Sequence, residues 1–161
     1  MKKSTKWWIG GVVVLAVGLF VLGNFTTKSA QSNRTNREVA LACTTDMATQ
    51  FHIHPHLTIL INGVNQEIPA NIGITAGCMN ALHTHDANGE LHVESPEKRD
   101  FNLSDFFAVW EKPFDKEHIL EYTADATNTV QITVNGSVVD TYENTILRDK
   151  DNIVISYGPK K

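Results

Sequence analysis

Apolar residues are laid out along this chain in three successive ways. Residues 7–25, WWIGGVVVLAVGLFVLGNF, form an unbroken uncharged run. Residues 26–42 are polar and free of aromatics, and from residue 43 onward short apolar stretches alternate with polar ones and are punctuated by Asn-Gly pairs. A helix over the first run rises about 28 Å at 1.5 Å per residue, close to the hydrocarbon thickness of a bilayer. Lys2, Lys3 and Lys6 precede it and Trp7 and Trp8 stand at its entry, a pattern that places the N-terminus in the cytoplasm and the tryptophans in the interfacial belt. No small-x-small cleavage site follows the run closely. The expectation is therefore an uncleaved membrane anchor over residues 1–25, a polar linker over 26–42, and a domain over 43–161 held outside the cytoplasm at the cell membrane by this single pass.

In the third region the period is two. The stretch HLTILINGVNQEIPA from His56 reads as two strands joined by Asn62-Gly63, the strongest short hairpin signal. A two-residue loop pairs Ile61 with Val64, Ile59 with Gln66 and Leu57 with Ile68, so the odd positions of the first strand form an apolar face. If the extended chain runs back through Pro55, then His52, His54 and His56 share the opposite face. The stretch LHTHDANGELHVE, residues 82–94, gives a second hairpin at Asn88-Gly89. With a two-residue loop His85 lies opposite His92 and His83 opposite Glu94; with a four-residue loop His83 meets His92 and His85 meets Glu90. Either way three imidazoles and a carboxylate converge on one face, with opposed Cβ atoms about 5 Å apart. An odd loop would put Leu91 and Val93 there instead.

Further on, NLSDFFAVWE reads as a short helix capped by Asn102 or Ser104, with Phe106, Phe107 and Trp110 on its apolar side. TVQITVNGSVVDTY repeats the hairpin signal at Asn135-Gly136, and DNIVISYG supplies a closing strand. The expected fold class is α+β: a small, mostly antiparallel or mixed β domain with one short helix.

Composition changes this picture in two places. A net charge of −4 across 161 residues leaves no basic excess for a nucleic-acid backbone, so nucleic acid is set aside as a partner. Cys43 and Cys78 are the two cysteines, and outside the cytoplasm an even count is most simply a disulfide. It would contribute about 3–4 kcal/mol by closing its loop. Thiolate metal ligands are the alternative use.

Candidate chemistry rests on the histidines. Six of the seven fall in the two segments, at His52, His54, His56, His83, His85 and His92. Neutral imidazole is a common ligand for zinc and copper, and His-x-His on a strand projects two rings to one side. The expectation is one metal site centred on His83 and His85, with His92, His54, His56, His52 and Glu94 as further ligands. It would hold a zinc or copper ion for storage, delivery or sensing. Met47 and Met79 lie near the two segments and would favour copper(I) if they face the site. No Ser-His-Asp spacing or nucleophile elbow supports a hydrolase. A cell-surface interaction module would need no metal at all, and its protein partner is not legible in the sequence.

Three resemblances bear on this. Gly77, His83, His85 and Glu90 fit the opening of the first cupin motif, which implies a metalloenzyme on a β-barrel, but the motif's closing glycine and a second motif are missing. Residues 134–158, VNGSVVDTYENTILRDKDNIVISYG, resemble the end of small β-grasp, ubiquitin-like sulfur-carrier domains; the chain ends GPKK without their terminal Gly-Gly, so carrier activity does not follow. LHTHDANGELHVESP with the following FNLSDFFAVW resembles an uncharacterised family of bacterial and archaeal membrane-anchored extracytoplasmic proteins. FHIHPHLTILINGVNQEIPANIGI is similar to that family's first half. This resemblance covers most of residues 51–158 and implies that both histidine segments belong to one domain.

Overall fold

A computed structural model describes residues 33–45 and 49–160. The apolar run at residues 7–25 and Met47 lie outside the described residues, and among those described no helix is long and apolar enough to cross a membrane. The chain divides into two units, Met1–Thr35 and Asn36–Lys161. All the elements below belong to the second.

The first hairpin forms as its pattern dictates. Strands β2 (His56–Ile61) and β3 (Val64–Gln66) pair Ile61 with Val64 and Ile59 with Gln66. Asn62 and Gly63 hold φ of 51° and 80°, the double positive that a type I′ turn requires. Leu57, Ile59 and Ile61 are buried, while Thr58 and Leu60 between them are not. The same chemistry recurs where β10 (Asn128–Val134) turns at Asn135-Gly136 into β11 (Ser137–Val139), with Val134 opposite Ser137. The last strand, β12 (Asn152–Pro159), buries Ile153, Ile155 and Tyr157. It lies antiparallel to β10 and parallel to β2.

The resulting mixed sheet has the order β11-β10-β12-β2-β3. Its first and last strands form the central parallel pair, flanked by the two hairpins.

Between β3 and the helix at Leu103–Val109, the chain makes an excursion that carries the second histidine segment. It contains β4 (Ile74–Thr75), β5 (Cys78–Met79), β6 (Leu82–His83) and β7 (His92–Ser95). Strands β4 and β5 form a two-stranded ribbon. Strand β7 sits at the centre of a three-stranded antiparallel sheet between β6 and β1 (Phe51–Ile53). A further ribbon, β8 (His118–Ile119) with β9 (Tyr122–Thr123), follows the helix.

The short helix expected from the sequence is present, and among the described residues a second, six-residue helix precedes it. Helix α2 (Leu103–Val109) takes Asn102, not Ser104, as its cap, and reciprocal bonds join the Asn102 and Asp105 side chains to each other's backbone N–H at 3.2 and 3.1 Å. Phe106 and Phe107 are buried beneath it. Helix α1 (Asn36–Leu41) falls in the segment expected to be a tether. Only Val39 and Ala40 are buried there, too few apolar residues to show a period. Besides the burial of Val39 and Ala40, polar contacts join α1 to α2: the Arg37 guanidinium sits 3.2 Å from the buried Asp105 carboxylate and donates to the Ser104 carbonyl and hydroxyl at 2.6 Å each.

Cys43 and Cys78 are joined in a disulfide, with Cα atoms 5.4 Å apart. The bond fastens the stretch after α1 to the β4–β5 ribbon, alongside the Thr44–Met79 bridge. A single apolar cluster runs through the domain, from Leu57 and Ile155 in the mixed sheet to Leu82, Leu91 and Val93 in the three-stranded one.

Candidate metal centre

The three-stranded sheet brings the histidines together by register. His52 on β1 pairs with Glu94 on β7, and His83 on β6 pairs with His92 on β7. Because alternate residues share a face, His92 and Glu94 project to the same side of the central strand, with His52 to one flank and His83 to the other. His54 and His85 lie two residues beyond His52 and His83 and continue that face.

Five imidazoles meet there. Ring centroids are 4.3 Å apart for His52 and His54, 4.6 Å for His54 and His92, 4.6 Å for His85 and His92, and 4.8 Å for His83 and His85. Nitrogens of His83, His85 and His92 lie within 4.8 Å of one another, and so do nitrogens of His52, His54 and His92. His92 belongs to both groups.

The two histidine segments are also bonded backbone to backbone. The Leu57 N–H donates to the Gly89 carbonyl at 2.8 Å and the Leu91 N–H donates to the Pro55 carbonyl at 2.9 Å. The Asn88-Gly89 hairpin expected from the sequence is therefore not a two-residue loop. The β6–β7 ladder stops at His83 and His92, which is the register of the four-residue alternative, and the chain between them turns away to bridge His56 with Glu90.

His56 is not brought to the cluster. Its ring contacts the Asn88 carbonyl at 2.9 Å, because the chain leaves one sheet and joins the other at His54-Pro55 and the alternation does not carry across. His118 is remote as well, bonded to Asp115 at 2.9 Å. Glu90 reaches the His92 Nε2 at 3.5 Å but is in neither three-histidine group. The triad implied by the cupin motif is thus not assembled, and among the described residues the mixed sheet runs from β11 to β3 without closing on itself as a cupin barrel would.

His83 is the most constrained ligand candidate. It is fully buried, and its Nδ1 lies 3.0 Å from the Asn80 carbonyl. A carbonyl only accepts, so Nδ1 carries the proton and Nε2 holds a free lone pair. That Nε2 is buried and has no hydrogen-bond partner. Burial pushes the His83 pKa down to about 4, against the opposing pull of the Asn80 bond and the Glu94 charge. His92 is lowered too, by burial first and then by neighbouring His54 and His85. Both rings are held in the neutral form that metal binding requires.

No known protein family, curated protein or solved structure matches the chain.

Three supporting residues carry no signal in the sequence. Thr84, buried between His83 and His85, donates to the Pro69 carbonyl at 2.8 Å and accepts the Ile72 N–H at 3.0 Å, pinning the His-x-His segment from behind. Asn80 orients His83 through its backbone, and its side chain bonds the Ala40 carbonyl at 2.9 Å. Thr49 lies 3.1 Å from the Glu94 carboxylate. Polar residues between strands are too common for spacing alone to single these out.

Proposed function

We propose that this is a membrane-anchored, extracytoplasmic metal-binding protein that holds zinc or copper on His83, His85 and His92. The observation that carries this is the buried, unpartnered Nε2 of His83, facing two other imidazoles from a ring whose tautomer is fixed by Asn80. Burying a polar atom without a partner costs about 1–3 kcal/mol, a cost that a metal ion at this point would offset. An all-imidazole donor set suits zinc or copper(II). Around a tetrahedral ion with bonds of about 2.0–2.1 Å, ligand nitrogens stand roughly 3.3 Å apart. The 4.8 Å spread of the group is within what small rotations of the exposed His85 and half-buried His92 close.

The support for the anchor and the compartment is the lysine-flanked apolar run of residues 7–25 together with the disulfide. Elemental analysis of the full-length chain, purified without a polyhistidine tag, tests the metal. About one or more equivalents of zinc or copper per chain are expected, falling sharply in His85→Ala. Metal-free protein that does not take up either ion on titration would overturn the proposal.

A further inference from the structure

Around His92 there are two three-nitrogen groups rather than one, and they differ in access. His83 is fully buried, whereas His52 is exposed and His54 half-buried. The geometry points to a second, outer metal position at His52, His54 and His92, from which an ion taken up from solvent is passed to the inner position at His83, His85 and His92. This rests on the metal-binding proposal above and assigns the same site a direction of loading, which fits delivery or exchange better than permanent storage.

Three observations carry it. The Nε2 of His52 and Nδ1 of His92 are 3.3 Å apart, already the separation of two ligands on a tetrahedral ion. Glu94 spans the two groups: its Oε1 is 3.0 Å from the His52 Nε2, 3.9 Å from the His92 Nδ1 and 4.0 Å from the His83 Nε2. An anionic oxygen between outer and inner nitrogens gives a moving cation a ligand throughout the transfer. Finally, His92 is common to both groups, so the ion needs to exchange only its other ligands to move inward, and a filled inner position draws His92 away from the outer one. No bond between heavy atoms of the protein changes; the proton shared by the His52 Nε2 and His92 Nδ1 moves to the far nitrogen of its ring or to solvent as the ion takes its place.

The test is stopped-flow uptake of Zn²⁺ by the full-length metal-free chain, read with a competing fluorescent zinc chelator, alongside equilibrium titration with the same metal. In the variant carrying His52→Ala and His54→Ala, uptake should slow by about tenfold or more, the lower end of what losing a metal-site partner costs, while tight equilibrium binding is kept. His52→Gln alone should slow uptake in the same direction. His85→Ala should lose the tight binding and keep a weaker, fast-exchanging zinc. Should the double variant load at the wild-type rate, the outer position is overturned while metal binding stands. If the wild-type chain takes up no zinc or copper, the underlying metal-binding proposal fails instead.

Discussion

The carbonyl oxygen of Gly89 accepts the N–H of Leu57 at 2.8 Å, and this bond draws the loop after His85 against the first strand of the mixed sheet. Gly89 holds φ of +87°, and a Cβ there would stand 2.4 Å from the Leu57 carbonyl oxygen. Gly89→Ala thus meets both left-handed backbone strain and a backbone clash, each costing about 1 kcal/mol or more. The expected outcome is a lower thermal midpoint and weaker zinc binding together, measured by calorimetry and titration. At Gly63, where a Cβ meets nothing within 4 Å, the same change should lower the midpoint less and leave zinc affinity intact.

The seven histidines should sort by location when each is replaced with alanine. His85→Ala and His92→Ala are expected to weaken zinc or copper binding by at least about 10- to 100-fold. His56→Ala and His118→Ala, whose rings are bonded to Asn88 and Asp115, should leave affinity unchanged. Isothermal titration of each variant decides, and undiminished binding by the His92 variant would sink the shared-ligand geometry.

Acid should destabilise the metal-free fold in a definite window. His83 binds a proton near its ordinary pKa of 6.5 when unfolded and only near about 4 when folded. The unfolded state therefore holds more protons between these values, and stability is lost as pH falls through that interval, at up to about 1.4 kcal/mol per pH unit for this one group. Denaturant titrations at pH 7, 6, 5 and 4 should show a shallower pH slope in His83→Leu than in the wild type. An unchanged slope would remove His83 from the account.

Reduction of the disulfide should reach the histidine cluster. Cys78 is two residues from Asn80, whose carbonyl fixes the His83 tautomer. Loss of the bond, by reductant or by Cys43→Ser with Cys78→Ser, should cost about 2–5 kcal/mol of stability. It should also weaken metal binding by loosening the β5–Asn80 segment. Thiol labelling and zinc titration of the reduced chain test both parts.

The link between Arg37 and Asp105 offers a test of where the folded unit begins. Asp105 is nearly fully buried, so Arg37→Ala leaves a buried carboxylate without its cation. A fully buried pair broken this way costs about 3–5 kcal/mol; with Arg37 itself 40% exposed, about 1–2 kcal/mol is expected in urea unfolding. No change in the midpoint would mean that α1 adds nothing to the domain.

What could be read from the sequence follows a physical division between local and distant causes. The turns at Asn62-Gly63 and Asn135-Gly136 form where their dipeptides put them, because positive φ is a property of those residues themselves. The α2 cap is likewise local. At Asn88-Gly89 the same dipeptide fails to close a tight hairpin, since backbone bonds to Pro55 and Leu57, more than thirty residues earlier, take the groups that a hairpin would have used. Alternation was a sound guide along β1, β6 and β7 and failed at His56, where the chain changes sheets. Helix α1 was hidden because it buries only Val39 and Ala40 and is otherwise held by polar contacts such as Arg37 with Asp105, which no periodicity announces. The convergence of five rings was legible as two faces; their joining through His92 was a matter of strand order.

The parallel pairing of β2 with β12, which sets His56 opposite Asn152, also bears on when in the life of the chain the domain can close. Strand β2 has no partner on its β12 side until the final residues have been made. Non-local pairing of this kind is slow to form, so a chain ending before residue 152 carries every histidine and still lacks the strand on which the mixed sheet beside them is centred. Under the proposed function, a chain cut short of β12 should therefore bind zinc or copper less tightly than the complete one.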